Sequence, residues 1–170
     1  MATFVKKLID ISKEDSIIVG GKAASLGEMI QHGFPVPPGF VILVGAFKEF
    51  LWQNDLTKQI EAITSKIHHD DIKSIEKESD SIQTLFQDAK IPNDIAKEIM
   101  LFFEDLGTET VAVRSSAVGE DGITSAWAGQ FDTYLNTSKD NLLINIKKCW
   151  ASLYSSRAIA YRFRKNLNAS

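Results

Sequence analysis

Two short stretches of this chain carry residue types suited to gripping an anion. The first is Gly20-Gly21-Lys22, at the opening of a helix-patterned segment. Backbone N–H groups left over at a helix N-terminus, the positive end of the helix dipole and a lysine ammonium can converge there on one phosphate. The second is Arg114-Ser115-Ser116, where the apolar run TVAVR gives way to the polar stretch SSAVGEDGITSAWAGQ with Gly119, Gly122 and Gly129. An arginine leaving a strand end offers phosphate oxygens a planar fork, glycines admit close backbone approach, and serine hydroxyls with loop N–H groups can complete an anion nest. Each stretch also has a plainer reading. A glycine turn with a solvated lysine is common, and spacing alone favours it; Arg114 fits equally well on a surface hairpin paired with Glu120 or Asp121. If the loop does hold phosphates, a bare carboxylate would repel them, so these two acids either point outward, the expected arrangement, or approach the nucleotide through Mg²⁺. Neither of the best-known phosphate motifs is present. Ser16 stands where a Walker A loop needs its first glycine, Ala23 follows the lysine in place of Ser or Thr, and no dinucleotide GxGxxG occurs.

Other chemically capable residues have simpler explanations. His68-His69-Asp70-Asp71 are neighbours in sequence that do not share a helix face, so a solvated turn is expected in place of a metal site. His32 precedes Gly33 at a helix stop, where the dipole favours it. Cys149 lies beside Trp150 in an apolar-periodic helix and reads as core, not as a nucleophile. Trp52, Trp127 and Trp150 read as core or loop anchors. The three histidines, in these contexts, form no serine-histidine-acid arrangement.

The elements that must position these residues belong to a chain of 170 residues, enough for one compact unit or two small ones. Its 44% hydrophobic and 24% charged residues argue for an ordinary folded domain and against disorder. The formal charge of -3 supplies no global field for nucleic acid or an anionic membrane, so neither is an expected partner. The charge is uneven: residues 138–170 hold seven basic residues against Asp140 alone, a local +6 that leaves -9 elsewhere. That basic stretch fits an acidic partner or the phosphate cleft, and equally a helix whose basic end complements its own dipole. A single cysteine excludes an intramolecular disulfide and fits a reducing compartment, and no run of about 18 apolar residues or signal-like leader is seen, so a cytoplasmic location is expected.

The hydrophobic pattern predicts extended pieces at TFVKKLID and SIIV, then a helix from Lys22 through Ala23, Leu26, Met29 and Ile30 to a stop at Gly33 and Pro35. PVPPGF cannot be helical, FVILV reads as a buried strand, and residues 45–53 as a helix with Phe47, Phe50 and Leu51 on one face. Residues 55–90 suggest two amphipathic helices broken near His69-Asp70-Asp71, and Pro92 to Leu106 another, closed by Gly107. TVAVR reads as a buried strand, FDTYL as the strand after the loop, and Lys139 to about Lys165 as a closing helix.

Together these segments resemble one family. VGGKAASLGEMIQHGFPVPPGFVIL and VAVRSSAVGEDGITSAWAGQFDTYLN are similar to two signatures of the phosphoenolpyruvate synthase and pyruvate phosphate dikinase family, in the expected order, and CWASLYSSRAIAYR continues the likeness. The resemblance implies an α/β fold, α+β in part: the N-terminal portion of an ATP-grasp-type nucleotide-binding domain, helix-rich with a small mixed sheet, over residues 1–170. It implies that Lys22 and Arg114 contact the phosphates of ATP as the catalytic cations. It also implies that Ser115, Ser116, Ala128, Gly129 and Gln130 belong to a loop closing over them, with Gly129 at the closest backbone approach. Trp127 stands where the family is expected to have Phe, and GEDG is a variant of the loop sequence. The family uses ATP and magnesium to phosphorylate a histidine on a separate domain, which then donates to pyruvate. The resemblance places the metal ligands, the partner ATP-grasp half, the phosphohistidine domain and the acceptor domain beyond Ser170. The chain is therefore expected to be part of a longer enzyme, inactive alone. A rifamycin-type antibiotic phosphotransferase shares these signatures, and a non-catalytic nucleotide-binding or regulatory module would keep the same cradle.

Overall fold

The computed structural model describes residues 3–68, 70–116 and 132–164. Its chain opens with β1 (Val5–Lys7), which pairs antiparallel with β2 (Phe40–Ile42), Val5 lying opposite Ile42 and Lys7 opposite Phe40. Between them a helical turn at Leu8–Asp10 is followed by a capping box, in which Ser12 donates its backbone N–H to Asp15 Oδ2 at 2.8 Å. That box launches α1 (Ser16–Val19), so SIIV forms one helical turn and not the extended piece its β-branched residues predict. A lone extended segment has no ladder for its backbone, whereas the turn lets the Gly20 N–H reach the Ser16 carbonyl at 2.9 Å.

Helix α2 (Gly21–Gln31) buries Ala23 and Ala24 in a cluster with Leu8, Ile11 and Val19, and sets Gly27 against the Ile11 backbone. It ends as its pattern predicts, with His32 Nδ1 2.8 Å from the Glu28 carbonyl oxygen and Gly33 at φ +78°. β2 is shorter than FVILV suggests, since Leu43 caps and Val44 begins α3 (Val44–Gln53). Helices α4 (Leu56–Thr64) and α5 (Ile72–Asp88) break where predicted, and the Asp71 carboxylate accepts the Lys73 N–H at the start of α5. α6 (Asn93–Asp105) follows Pro92.

The second ladder joins β3 (Thr110–Arg114) and β4 (Thr133–Ser138), antiparallel, with Thr110 opposite Ser138 and Arg114 opposite Thr133. Its register slips between Val111 and Val113, where Asn136 takes φ +51°. TVAVR is thus half-buried, not buried: a two-stranded ladder has one covered face, so Val111 and Val113 pack inward while Thr110, Ala112 and Arg114 are exposed. The closing segment divides into α7 (Leu142–Ala151), a tight turn at Ser152–Tyr154, and α8 (Ser156–Arg164). Ser155 is extended and its hydroxyl accepts the Ala158 N–H, while the Ser152 hydroxyl donates to the Cys149 carbonyl. Serine side chains that bond nearby backbone compete with the helical ladder, which a count of apolar positions does not register. The helix-rich α/β expectation holds, but in place of one small mixed sheet the described strands form two separate antiparallel ladders.

Two of the apolar clusters join the larger elements. One joins Val5, Ala46, Ile95, Ile99, Phe103, Leu142 and Ile146; the other joins Phe50, Leu56, Ile60, Ile82 and Phe86. Trp150 on α7 packs at the seam of both, its ring 4.9 Å from that of Phe50. Trp52 is no core anchor. At 74% exposure it lies on the outer face of α3, whose inner face is filled by Phe47 and Phe50. Much of the basic stretch is absorbed by neighbours: Lys139 pairs with Glu104 at 2.7 Å, and Lys147 donates to the Gln87 and Ala89 carbonyls at 2.6 and 2.8 Å, complementing the end of α5. Among the described residues no helix is long and apolar enough to cross a membrane.

Candidate nucleotide-phosphate site

Gly20 occupies the N-cap position of α2 with φ +81° and ψ 158°, a conformation essentially reserved for glycine. Having no side chain, it cannot cap the helix itself. The cap comes from 93 residues away, where the Ser116 hydroxyl accepts the Ala23 N–H at 3.1 Å. The approach is close enough that a Cβ at Gly20 would lie 2.5 Å from the Ser116 carbonyl oxygen and 2.6 Å from its Oγ. The two anion-suited stretches, remote in sequence, therefore meet at one contact.

Lys22 lies in the first turn of α2 and Arg114 at the end of β3, two residues before Ser116; both side chains are exposed. Neither forms an ion pair with another described residue, unlike Lys139 or Lys6. Exposed cations left unpaired beside a helix N-terminus make a positive corner, with the Gly21 and Lys22 N–H groups ahead of the helix's own hydrogen-bond ladder. The Ser115 Oγ is buried with no hydrogen-bond partner among the described residues, a condition that costs about 1–3 kcal/mol.

Behind this corner stand β4 and α7. The buried Cys149 thiol donates to the Asp132 carbonyl at 3.6 Å, and burial pushes it up to about 11, with Asp132 adding to the rise and Lys22 opposing it. Cys149 is thus core, as its sequence context suggests, and Lys22 lies within electrostatic reach of it. The Tyr134 hydroxyl donates to Asp132 Oδ2 at 3.1 Å; burial first, and then the Asp132 charge, push it up to about 12. Lys148 stands 5.8 Å from the Tyr134 ring, and Arg157 reaches Asp132 at 3.9 Å. Asp132 thus gathers Tyr134, Cys149 and Arg157 around the start of β4, and nothing in their spacing marks them in the sequence.

Of the residues singled out from the sequence, Lys22, Arg114, Ser115 and Ser116 are brought to one corner. Ala128, Gly129 and Gln130 lie outside the described residues, as do Trp127, Glu120 and Asp121. His68 uses its backbone N–H to bind the Ser74 hydroxyl in the turn before α5. Among the described residues there is no group of three or more His, Cys, Asp or Glu able to hold a metal ion.

Residues 16–170 match the family described as the pyruvate phosphate dikinase AMP/ATP-binding domain, and the chain belongs to that family. Membership carries an AMP/ATP-binding role. The chain is 38% identical over 173 residues to a probable phosphoenolpyruvate synthase of Staphylothermus marinus, covering 96% of this chain and 21% of the relative. It is 39% identical over 166 residues to a probable phosphoenolpyruvate synthase of Methanocaldococcus jannaschii, covering 94% and 14%, and 38% identical over 168 residues to the phosphoenolpyruvate synthase of Aquifex aeolicus, covering 92% and 20%. The chain thus spans about a fifth or less of the length of these relatives.

Proposed function

We propose that this chain is the ATP-binding portion of a phosphoenolpyruvate synthase-like phosphotransferase, with Lys22 and Arg114 gripping the phosphates of ATP. The observation that carries the reading is the Ser116–Ala23 contact, which brings the Lys22 helix terminus to the strand end of Arg114. Two cations on different elements can then face one polyphosphate, stabilising charge as it redistributes during transfer. In this reading the phosphoryl group passes to a histidine on another domain of the parent protein and from there to pyruvate. The relatives' names support pyruvate over a drug as the final acceptor. Ala128, Gly129 and Gln130 would close over the phosphates, and a partner ATP-grasp half would supply the ligands of magnesium. The ion, when bound, neutralises phosphate charge. The lone buried cysteine suits a cytoplasmic setting.

The test is calorimetric titration of the chain with Mg-ATP, alongside Lys22→Ala and Arg114→Ala. A charge-assisted contact is worth about 1.5–3 kcal/mol, so each substitution should weaken binding by roughly 10- to 100-fold. Because both side chains are exposed, stability should change by no more than about 0.5 kcal/mol. No ATP binding by the unmodified chain, or unchanged affinity in both variants, refutes the reading.

A further inference from the structure

The Ser116 hydroxyl belongs to the glycine-bearing polar stretch, yet its acceptor capacity is directed to the backbone of α2. An N-cap residue normally supplies that acceptor from its own side chain to the second or third residue of the helix. Here the N-cap is Gly20, the third residue is Ala23, and the hydroxyl arrives from the far strand. The Ser116 carbonyl rests where a Gly20 side chain would be. A contact made twice over, by hydroxyl and by backbone, fixes the first turn of α2 relative to the end of β3.

We propose that Ser116 is a positioning residue: its hydroxyl clips the helix terminus carrying Lys22 to the strand end carrying Arg114, so that the two cations are set in register before nucleotide arrives. This rests on the function proposed above. It adds that Ser116 acts through Lys22, as the acceptor for Ala23, and not chiefly as a phosphate ligand. Without the clip α2 keeps its Ala24-to-Gly20 backbone bond at 3.1 Å and its packing on Ile11 and Val19, but its first turn is free to shift against β3. Lys22 must then be ordered at the expense of binding.

Two measurements on the whole chain separate this proposal from its premise. In the ligand-free protein, Ser116→Ala should speed Ala23 amide exchange by roughly five- to tenfold, the scale of a lost cap, while the amide of buried Ile82 on α5 is unaffected. In a double-mutant cycle read by ATP affinity, Ser116→Ala alone should weaken binding by about three- to tenfold, and by less than about twofold in a Lys22→Ala background. Ala23 exchange unchanged by the substitution overturns the clip, whatever ATP does. An equal loss of affinity in both backgrounds makes Ser116 an independent phosphate ligand and overturns the positioning role. Absence of ATP binding by the unmodified chain refutes the proposed function and, with it, the role assigned to the clip.

Discussion

Three glycines offer a graded test of how tightly α2 is seated against β3. Gly20, at φ +81°, has the Ser116 carbonyl oxygen 2.5 Å from where a Cβ would be. Gly33 has a similar φ of +78°, yet a Cβ there meets nothing within 4 Å. Gly45, within the first turn of α3, has neither a positive φ nor a neighbour within 4 Å. Gly33→Ala should therefore cost only the conformational part, about 1–2 kcal/mol. Gly20→Ala should cost roughly 1–3 kcal/mol of strain and another 1–3 kcal/mol for displacing the strand end, about 2–6 kcal/mol in all. Gly45→Ala should stabilise the chain by about 0.4–1 kcal/mol, since it removes only unfolded-state freedom. The assay is urea denaturation of all three variants beside the unmodified chain, comparing midpoints at constant slope. If Gly20→Ala proves no more damaging than Gly33→Ala, Ser116 does not press on Gly20 and the argument from that contact fails.

Two further outcomes follow from the polar groups in the interior. The Cys149 thiol is held above its ordinary value of 9.0, at about 11, so the unfolded chain loses this proton first and stability falls as pH rises across that window. The loss is on the order of 2 kcal/mol by pH 11, and Cys149→Ala should flatten that part of a denaturation profile between pH 8 and 11; an identical decline in the variant refutes the assignment. The Glu98 carboxylate accepts the Phe4 N–H at 3.0 Å and the Val5 N–H at 3.2 Å, tying β1 to α6. Glu98→Ala should destabilise by about 1–3 kcal/mol and Glu98→Gln by less, and equal effects in urea unfolding would show that the acceptor oxygen is not what matters.

Helices α2, α3, α5 and α6 are legible in the sequence because each repeats apolar residues at three- and four-residue spacing long enough to outweigh local propensity. SIIV is not, since four β-branched or small residues carry too little pattern to reveal that no strand lies beside them. The split between α7 and α8 escapes for a related reason: Ser152 and Ser155 bond to backbone, and a hydrophobicity count ignores hydroxyl direction. Trp52 misleads because residue type sets what burial would gain, not which side of α3 meets the core.

The family and its AMP/ATP-binding role are legible in the sequence alone, and Lys22, Arg114, Ser115 and Ser116 stand out there as candidates, because motifs are local and their residue types carry chemistry wherever they lie. How those motifs relate to each other is decided by tertiary structure. Only packing between remote parts of the chain shows that Ser116 caps a helix that Gly20 cannot cap, that the Ser115 hydroxyl is buried with no partner among the described residues, and that Lys22 lies within electrostatic reach of Cys149. A cap, a buried orphan and an electrostatic neighbour are each properties of distance, and distance between remote residues exists only once the chain has closed.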